Sequence, residues 1–168
     1  MSVEKVSLPY DGWSDNQIIT LAIVNRVTSF LSLAGSGYIV WKVLDPKHRE
    51  EKMKKMYQRI MLCLSIADMI GSFGVFLGGW AMPSDSLHDN FLYQNVGNVV
   101  TCDAQGFLIQ CGYSSVVLYN AFLSAFFLMS VKYSWNEAKF RVVEPYVHAF
   151  ALIVTLFIGT VSIVKELF

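Results

Sequence analysis

Residues 102–131, CDAQGFLIQCGYSSVVLYNAFLSAFFLMSV, carry no charge after Asp103. A helix of about 20 apolar residues crosses a bilayer core about 30 Å thick. This stretch exceeds that measure, so it decides the fold class: the chain passes through a membrane. Three other runs meet the same measure. Residues 18–44 contain Asn25 and Arg26 in their first turns. Residues 57–80 contain one acid, Asp68. Residues 147–164 contain no charge. The expectation is an all-α membrane protein with four transmembrane helices.

The composition agrees. Apolar residues make up 54% of the chain and charged residues 15%, against about 45–50% and about 25% in soluble domains. Mean hydropathy is +0.45. The formal net charge of +0 says nothing about nucleic acid; the apolar runs make the bilayer the expected partner, with no nucleic acid expected. Glycines recur inside the runs, and glycine lets membrane helices approach closely. The Gly35–Ser36–Gly37 triplet lies within a span with no strand before it. It therefore reads as a packing surface and not as a phosphate loop.

Charge placement sets the orientation. The connection between the first two runs carries Lys47, Arg49, Lys52, Lys54, Lys55 and Arg59. The one between the last two carries Lys132, Lys139 and Arg141. The connection over 81–101 has no Lys or Arg, and the chain ends offer only Lys5 and Lys165. Cytoplasmic loops are enriched in Lys and Arg, so both basic loops are expected in the cytoplasm, with N- and C-termini outside. Residues 1–17 are then an extracellular segment and 18–168 the transmembrane domain of a multi-pass protein, expected in the plasma membrane. The first residues lack the basic start and early apolar core of a signal peptide. Trp13, Trp80 and Trp135 fall where amphipathic rings favour the membrane boundary. The run DPKHREEKMKKMYQR over 45–59 is a topology signal whose cations are diluted by Asp45, Glu50 and Glu51; binding of anionic lipid is its other reading.

Polar residues inside the spans are the candidate functional site. Asp68 lies nine residues past Arg59, about 13 Å deeper at 1.5 Å per residue. A charge near the midplane costs at least about 2.5–3.5 kcal/mol, so it must face partners. It could bind a cation, relay a proton or lock packing through Ser or Asn of a neighbouring helix. Arg26 is expected to snorkel toward the outer boundary or to line an outer cavity, beside Asn25. Asn120 sits mid-span near Tyr113 and Tyr119, either contacting a ligand or bonding between helices. Phe122, Phe126 and Phe127 read as a lipid-facing or packing row. His148 opens the last run. No GxSxG, no HExxH and no useful pair of acids is present, so the chain is not read as an enzyme. Cys63, Cys102 and Cys111 are not clustered, so neither a metal nor a cofactor is expected.

Several stretches resemble seven-helix G-protein-coupled receptors of the cyclic-AMP-receptor-like type from protists and algae. LSLAGSGYIVWKVL (31–44) is similar to their first helix. RIMLCLSIADMIGSFG (59–74) is similar to their second, whose LSxAD segment places the acid at Asp68. The third opens on Cys-x-x-Gln-Gly-Phe, matched by Cys102, Gln105, Gly106 and Phe107. VEPYVHAFAL (143–152), with Glu144, Pro145 and His148, resembles the lead-in to the fourth. The resemblance implies that this chain corresponds to helices one to four of a seven-helix bundle. It implies a disulfide from Cys102 to a cysteine beyond the fourth helix, absent from this chain. It also implies a G protein or a full-length receptor as partner, with the ligand unknown. The chain has Ser130–Val131–Lys132–Tyr133 where receptors carry acid-Arg-Tyr, and its fourth helix lacks their tryptophan. The expected function is signal reception by a truncated or partial receptor. The alternative is a self-contained four-helix scaffold or small transporter or channel.

Overall fold

The computed structural model describes residues 14–82 and 96–165. Their elements are all helices: α1 (Asp15–Val43), the short α2 (Arg49–Met53), α3 (Met56–Leu77) with a 3-10 turn (Gly78–Ala81), α4 (Val99–Tyr133) and α5 (Glu137–Val164). Four are long and apolar enough to cross a bilayer: Ile19–Val43, Met56–Ala81, Val99–Tyr133 and Glu137–Val164. The protein is an all-α, multi-pass membrane protein. Trp13 and most of the expected N-terminal segment lie outside the described residues.

Local chemistry sets the helix ends. Asn98 caps α4: its side chain accepts from the Thr101 N–H at 2.9 Å, and Thr101 Oγ1 accepts from the Asn98 N–H at 2.7 Å. This reciprocal pair satisfies donors that an open helix start leaves bare. Asn136 caps α5 by accepting from the Lys139 N–H at 3.1 Å. α3 stops at Gly78, with φ of 54°. α4 stops at Ser134, with φ of 50°.

The last helix begins earlier than the apolar run. Residues 137–146 are charged and hold Pro145, so hydropathy alone marks them as a loop. They form the first turns of α5, and Pro145 lies inside it. Proline removes a backbone donor there, which a membrane helix tolerates when neighbours re-satisfy the freed group. Charged turns of this kind extend past the hydrocarbon without breaking the helix.

α3 packs between α1 and α4, and α5 packs on α4 and reaches α3 over a short stretch. Among the described residues α1 and α4 share no packing contact, so the helices form an open row instead of a closed bundle. Glu137 Oε2 accepts from the Met56 N–H at 3.2 Å, which places both basic connections at one end. The core is also at that end: Met56, Ile60, Tyr119, Phe126, Phe140 and Ala151. Phe126 and Phe140 rings stand 4.6 Å apart, with Trp135 on Phe140 at 5.4 Å. The aromatic row divides: Phe126 is buried, Phe122 packs on Tyr119 and Phe150, and Phe127 faces outward.

Lipid tails are as apolar as the side chains, so helices associate through close packing and hydrogen bonds. The α3–α4 seam shows the first. A Cβ on Gly112 would run into the backbone of Gly71, and one on Gly74 would meet Ile109 Cγ1 at 2.6 Å. On the far side of α4, a Cβ on Gly159 of α5 would meet Phe107 at 2.7 Å and Cys111 Sγ at 2.8 Å. The Gly35–Ser36–Gly37 expectation is corrected. Both glycines face open space with nothing within 4 Å, and the contact of this stretch is made by Ser36.

Candidate functional site

Polar side chains join the helices at three depths. At mid-depth, Asp68 Oδ2 accepts from Ser32 Oγ at 2.8 Å and from Ser36 Oγ at 2.5 Å, both on α1. Ser72, one turn beyond Asp68, donates to Ser32 Oγ at 3.0 Å. Spacing of four residues puts Ser32 and Ser36 on one helix face, and likewise Asp68 and Ser72. The carboxyl thus finds hydroxyl partners on the neighbouring helix, and the arrangement holds α1 against α3.

At the basic end, Arg59 of α3 reaches Glu144 of α5. Its Nη2 donates to Glu144 Oε2 at 2.6 Å and its Nε donates to Oε1. Nη1 donates to the Met53 carbonyl. The pair is mostly enclosed, with side chains 16% and 15% exposed. His148 continues the chain of contacts. Its Nε2 lies 3.7 Å from Glu144 Oε1, and its Nδ1 lies 3.1 Å from the Tyr119 hydroxyl. Cys63 packs beside this group. Three helices therefore meet in one network of a guanidinium, a carboxylate, an imidazole and a phenol.

At the opposite end, Gln105 of α4 is buried and donates through Nε2 to the carbonyls of Gly74 and Gly78, both at 2.8 Å. This fastens the end of α3 to α4. Arg26 lies against the same end of α3. Its guanidinium carbon sits 4.9 Å from the centre of the Trp80 ring, and a Cβ on Gly78 would meet its Nε at 3.3 Å. Arg26 is half-buried, and its guanidinium reaches the Trp80 ring at that end of α3.

The four intramembrane polar residues do not converge. Asn25 is exposed on α1, where only its backbone carbonyl bonds, accepting from Thr28 and Ser29. Asn120 is exposed on α4 and its amide donates to its own helix, at Val116 O, 3.0 Å away. Neither joins Asp68, whose bonds go to the serines of α1. Of the motif residues, Gln105, Phe107, Glu144 and His148 each make a contact between helices. Pro145 lies within α5, and Gly106 is half-buried in α4. Cys102 is a free thiol in the first turn of α4, as Cys63 and Cys111 are free within their helices.

Ser32 and Ser72 were not singled out in the sequence, and Glu144 and Tyr119 were named there without their partners Arg59 and His148. The repeat of hydroxyls four residues apart on α1, Ser32 and Ser36, is the signal that could have named the acid's partners. Nothing local to Arg59 indicates Glu144, eighty-five residues away.

In the loop after α1, the Lys47 N–H donates to Asp45 Oδ1 at 3.2 Å. That bond, aided by nearby His48, holds the Asp45 carboxyl below its usual value of 3.8. Lys52 Nζ donates to the Lys42 carbonyl at 2.5 Å, so this cation closes the exposed end of α1. Comparison with protein-family models, with curated proteins and with solved structures finds no match for this chain.

Proposed function

We propose that the chain serves signal reception across a membrane, as the first four helices of a seven-helix assembly resembling the cyclic-AMP-receptor-like receptors. The observation that carries this reading is the outer face of α4. Asn120, Ser124 and Tyr113 are exposed along one stripe of the longest span. The Asn120 amide and the Ser124 hydroxyl each donate to a carbonyl of their own helix, which leaves the Asn120 side-chain oxygen and the Ser124 oxygen able to accept from a neighbouring helix. Such a face suits a central helix with neighbours on every side, as the third helix of a receptor has.

The motif residues add support. Asp68, Gln105, Glu144 and His148 are the positions on which the resemblance rests, and each ties one helix to another. In a receptor such ties would set the resting arrangement that a ligand shifts. The basic end, with its network of Arg59, Glu144, His148 and Tyr119, would face the G protein.

The test uses membranes from cells producing the chain together with whatever reading frame follows its last codon. Nucleotide exchange on a co-expressed heterotrimeric G protein is measured with and without cyclic AMP as the first probe. Parallel proteoliposomes are assayed for cation flux. Faster exchange at background flux supports the receptor reading. Unchanged exchange together with flux above protein-free liposomes overturns it in favour of a transporter or channel.

A further inference from the structure

Arg26 is a cation set inside an apolar helix, eleven residues past the start of α1 and so about 16 Å along it. An ionisable group at such a position normally pairs with another charge. Among the described residues no carboxylate lies within ion-pair distance of Arg26, and the side chain makes no hydrogen bond. Its Nε is enclosed without a partner. The terminal nitrogens Nη1 and Nη2 are not enclosed in this way, so their edge of the guanidinium remains accessible.

The surroundings hold that edge in place. Trp80 stacks on the guanidinium at 4.9 Å. Gly78, with φ of 54°, lets the α3 backbone pass close to Arg26 without a side chain between them. The end of a helix is where a cation would bond to free carbonyls. Here the Gly74 and Gly78 carbonyls are taken by Gln105 of α4. The guanidinium is thus oriented by α3 yet not neutralised by it.

From this we infer that Arg26, Gly78 and Trp80 form a binding site for a small oxyanion, a phosphate or phosphate monoester, at the end of the bundle opposite the basic loops. A guanidinium presents parallel N–H donors that match two oxygens of such a group. Stacking on an aromatic ring fixes the plane of the fork, so less freedom is lost when the anion docks. The phosphate could belong to a lipid headgroup or to a soluble ligand, and the chemistry of recognition is the same. The site stands on the geometry of α1 and α3 and does not depend on the receptor reading.

The test uses the full chain purified in dodecyl maltoside, which has no phosphate. Tryptophan fluorescence is titrated with inorganic phosphate and, separately, with short-chain phosphatidate; the Trp80→Phe variant identifies the Trp80 contribution. Wild type should give a saturable Trp80 response. Arg26→Gln should weaken binding about tenfold, the loss expected for hydrogen bonds to a charged group. Arg26→Lys, which keeps the charge and loses the fork, should fall between them, and Asn25→Ala should match wild type. A response to phosphate alone assigns a soluble ligand. A response only to phosphatidate assigns a lipid headgroup. The site is overturned if neither probe acts on folded wild type, or if Arg26→Gln and Arg26→Lys both respond as wild type does.

Discussion

Arg59 and Glu144 face each other with two guanidinium–carboxylate hydrogen bonds, although they stand eighty-five residues apart. Their helices, α3 and α5, touch only over a short stretch. The pair therefore fixes the angle at which α5 joins the row. Removing one partner leaves the other charge enclosed and unpaired, which costs about 3–5 kcal/mol for a buried pair. Arg59→Gln or Glu144→Gln should each destabilise by about 3 kcal/mol, the lower end, since both side chains keep some exposure. The double variant should recover part of that loss. Unfolding in mixed micelles checks both points.

The seam at mid-depth is held by hydroxyls, so it should weaken in small steps. Ser32→Ala and Ser36→Ala should each cost about 0.6 kcal/mol, the average for hydrogen bonds between membrane helices. Asp68→Leu, which removes the shared acceptor, should cost about 1–2 kcal/mol. Asp68→Asn retains an acceptor oxygen and should leave insertion intact. Hydrogen exchange of α1 amides reads the loosening directly, and an unchanged α1 in Asp68→Leu would refute the seam.

Glycines that look alike in sequence should respond in opposite ways. Gly112→Val places atoms where the Gly71 backbone already lies, and overpacking costs about 1–3 kcal/mol. Gly35→Ala and Gly37→Ala project into open space and should be neutral or slightly stabilising, as alanine favours helix. Thermal unfolding of the three variants side by side gives the comparison.

The turn after α1 carries a pH dependence with a defined sign. Asp45 has a lowered carboxyl value, chiefly through the Lys47 N–H. Its contribution is complete above the ordinary value of 3.8 and is lost as pH falls through the lowered one. Protection of the Lys47 amide should be flat from neutral pH down to that range and then fall. In Asp45→Asn the fall should vanish.

Much of the architecture could be read from hydropathy. Length and apolarity locate a span whatever its neighbours do, so residues 102–131 and 57–80 foretold the bodies of α4 and α3 closely. The same criterion failed over 137–146, because it detects the hydrocarbon and not the helix. The polar contacts were legible only in part. Asp68 announced a need for partners through its cost in the membrane, and the serines of α1 meet it. Which way Asn120 points depends on rotation of α4 about its axis. That rotation is set by glycine contacts with α3, and hydropathy does not report it. Gly35 and Gly37 misled for the same reason: a small residue permits close approach without specifying which face is approached.

The backbone contact between Gly71 and Gly112 has a mechanical consequence. Sliding α3 by one residue along α4 would bring a full side chain into a gap that admits none, so translation between these two helices is barred. They can only tilt together, as one lever. α5 is held to the pair at both ends, by Arg59 on Glu144 at one and by Gly159 against Phe107 and Cys111 at the other, so a tilt of the lever carries α5 with it, while α1 hangs from α3 by serine hydroxyls.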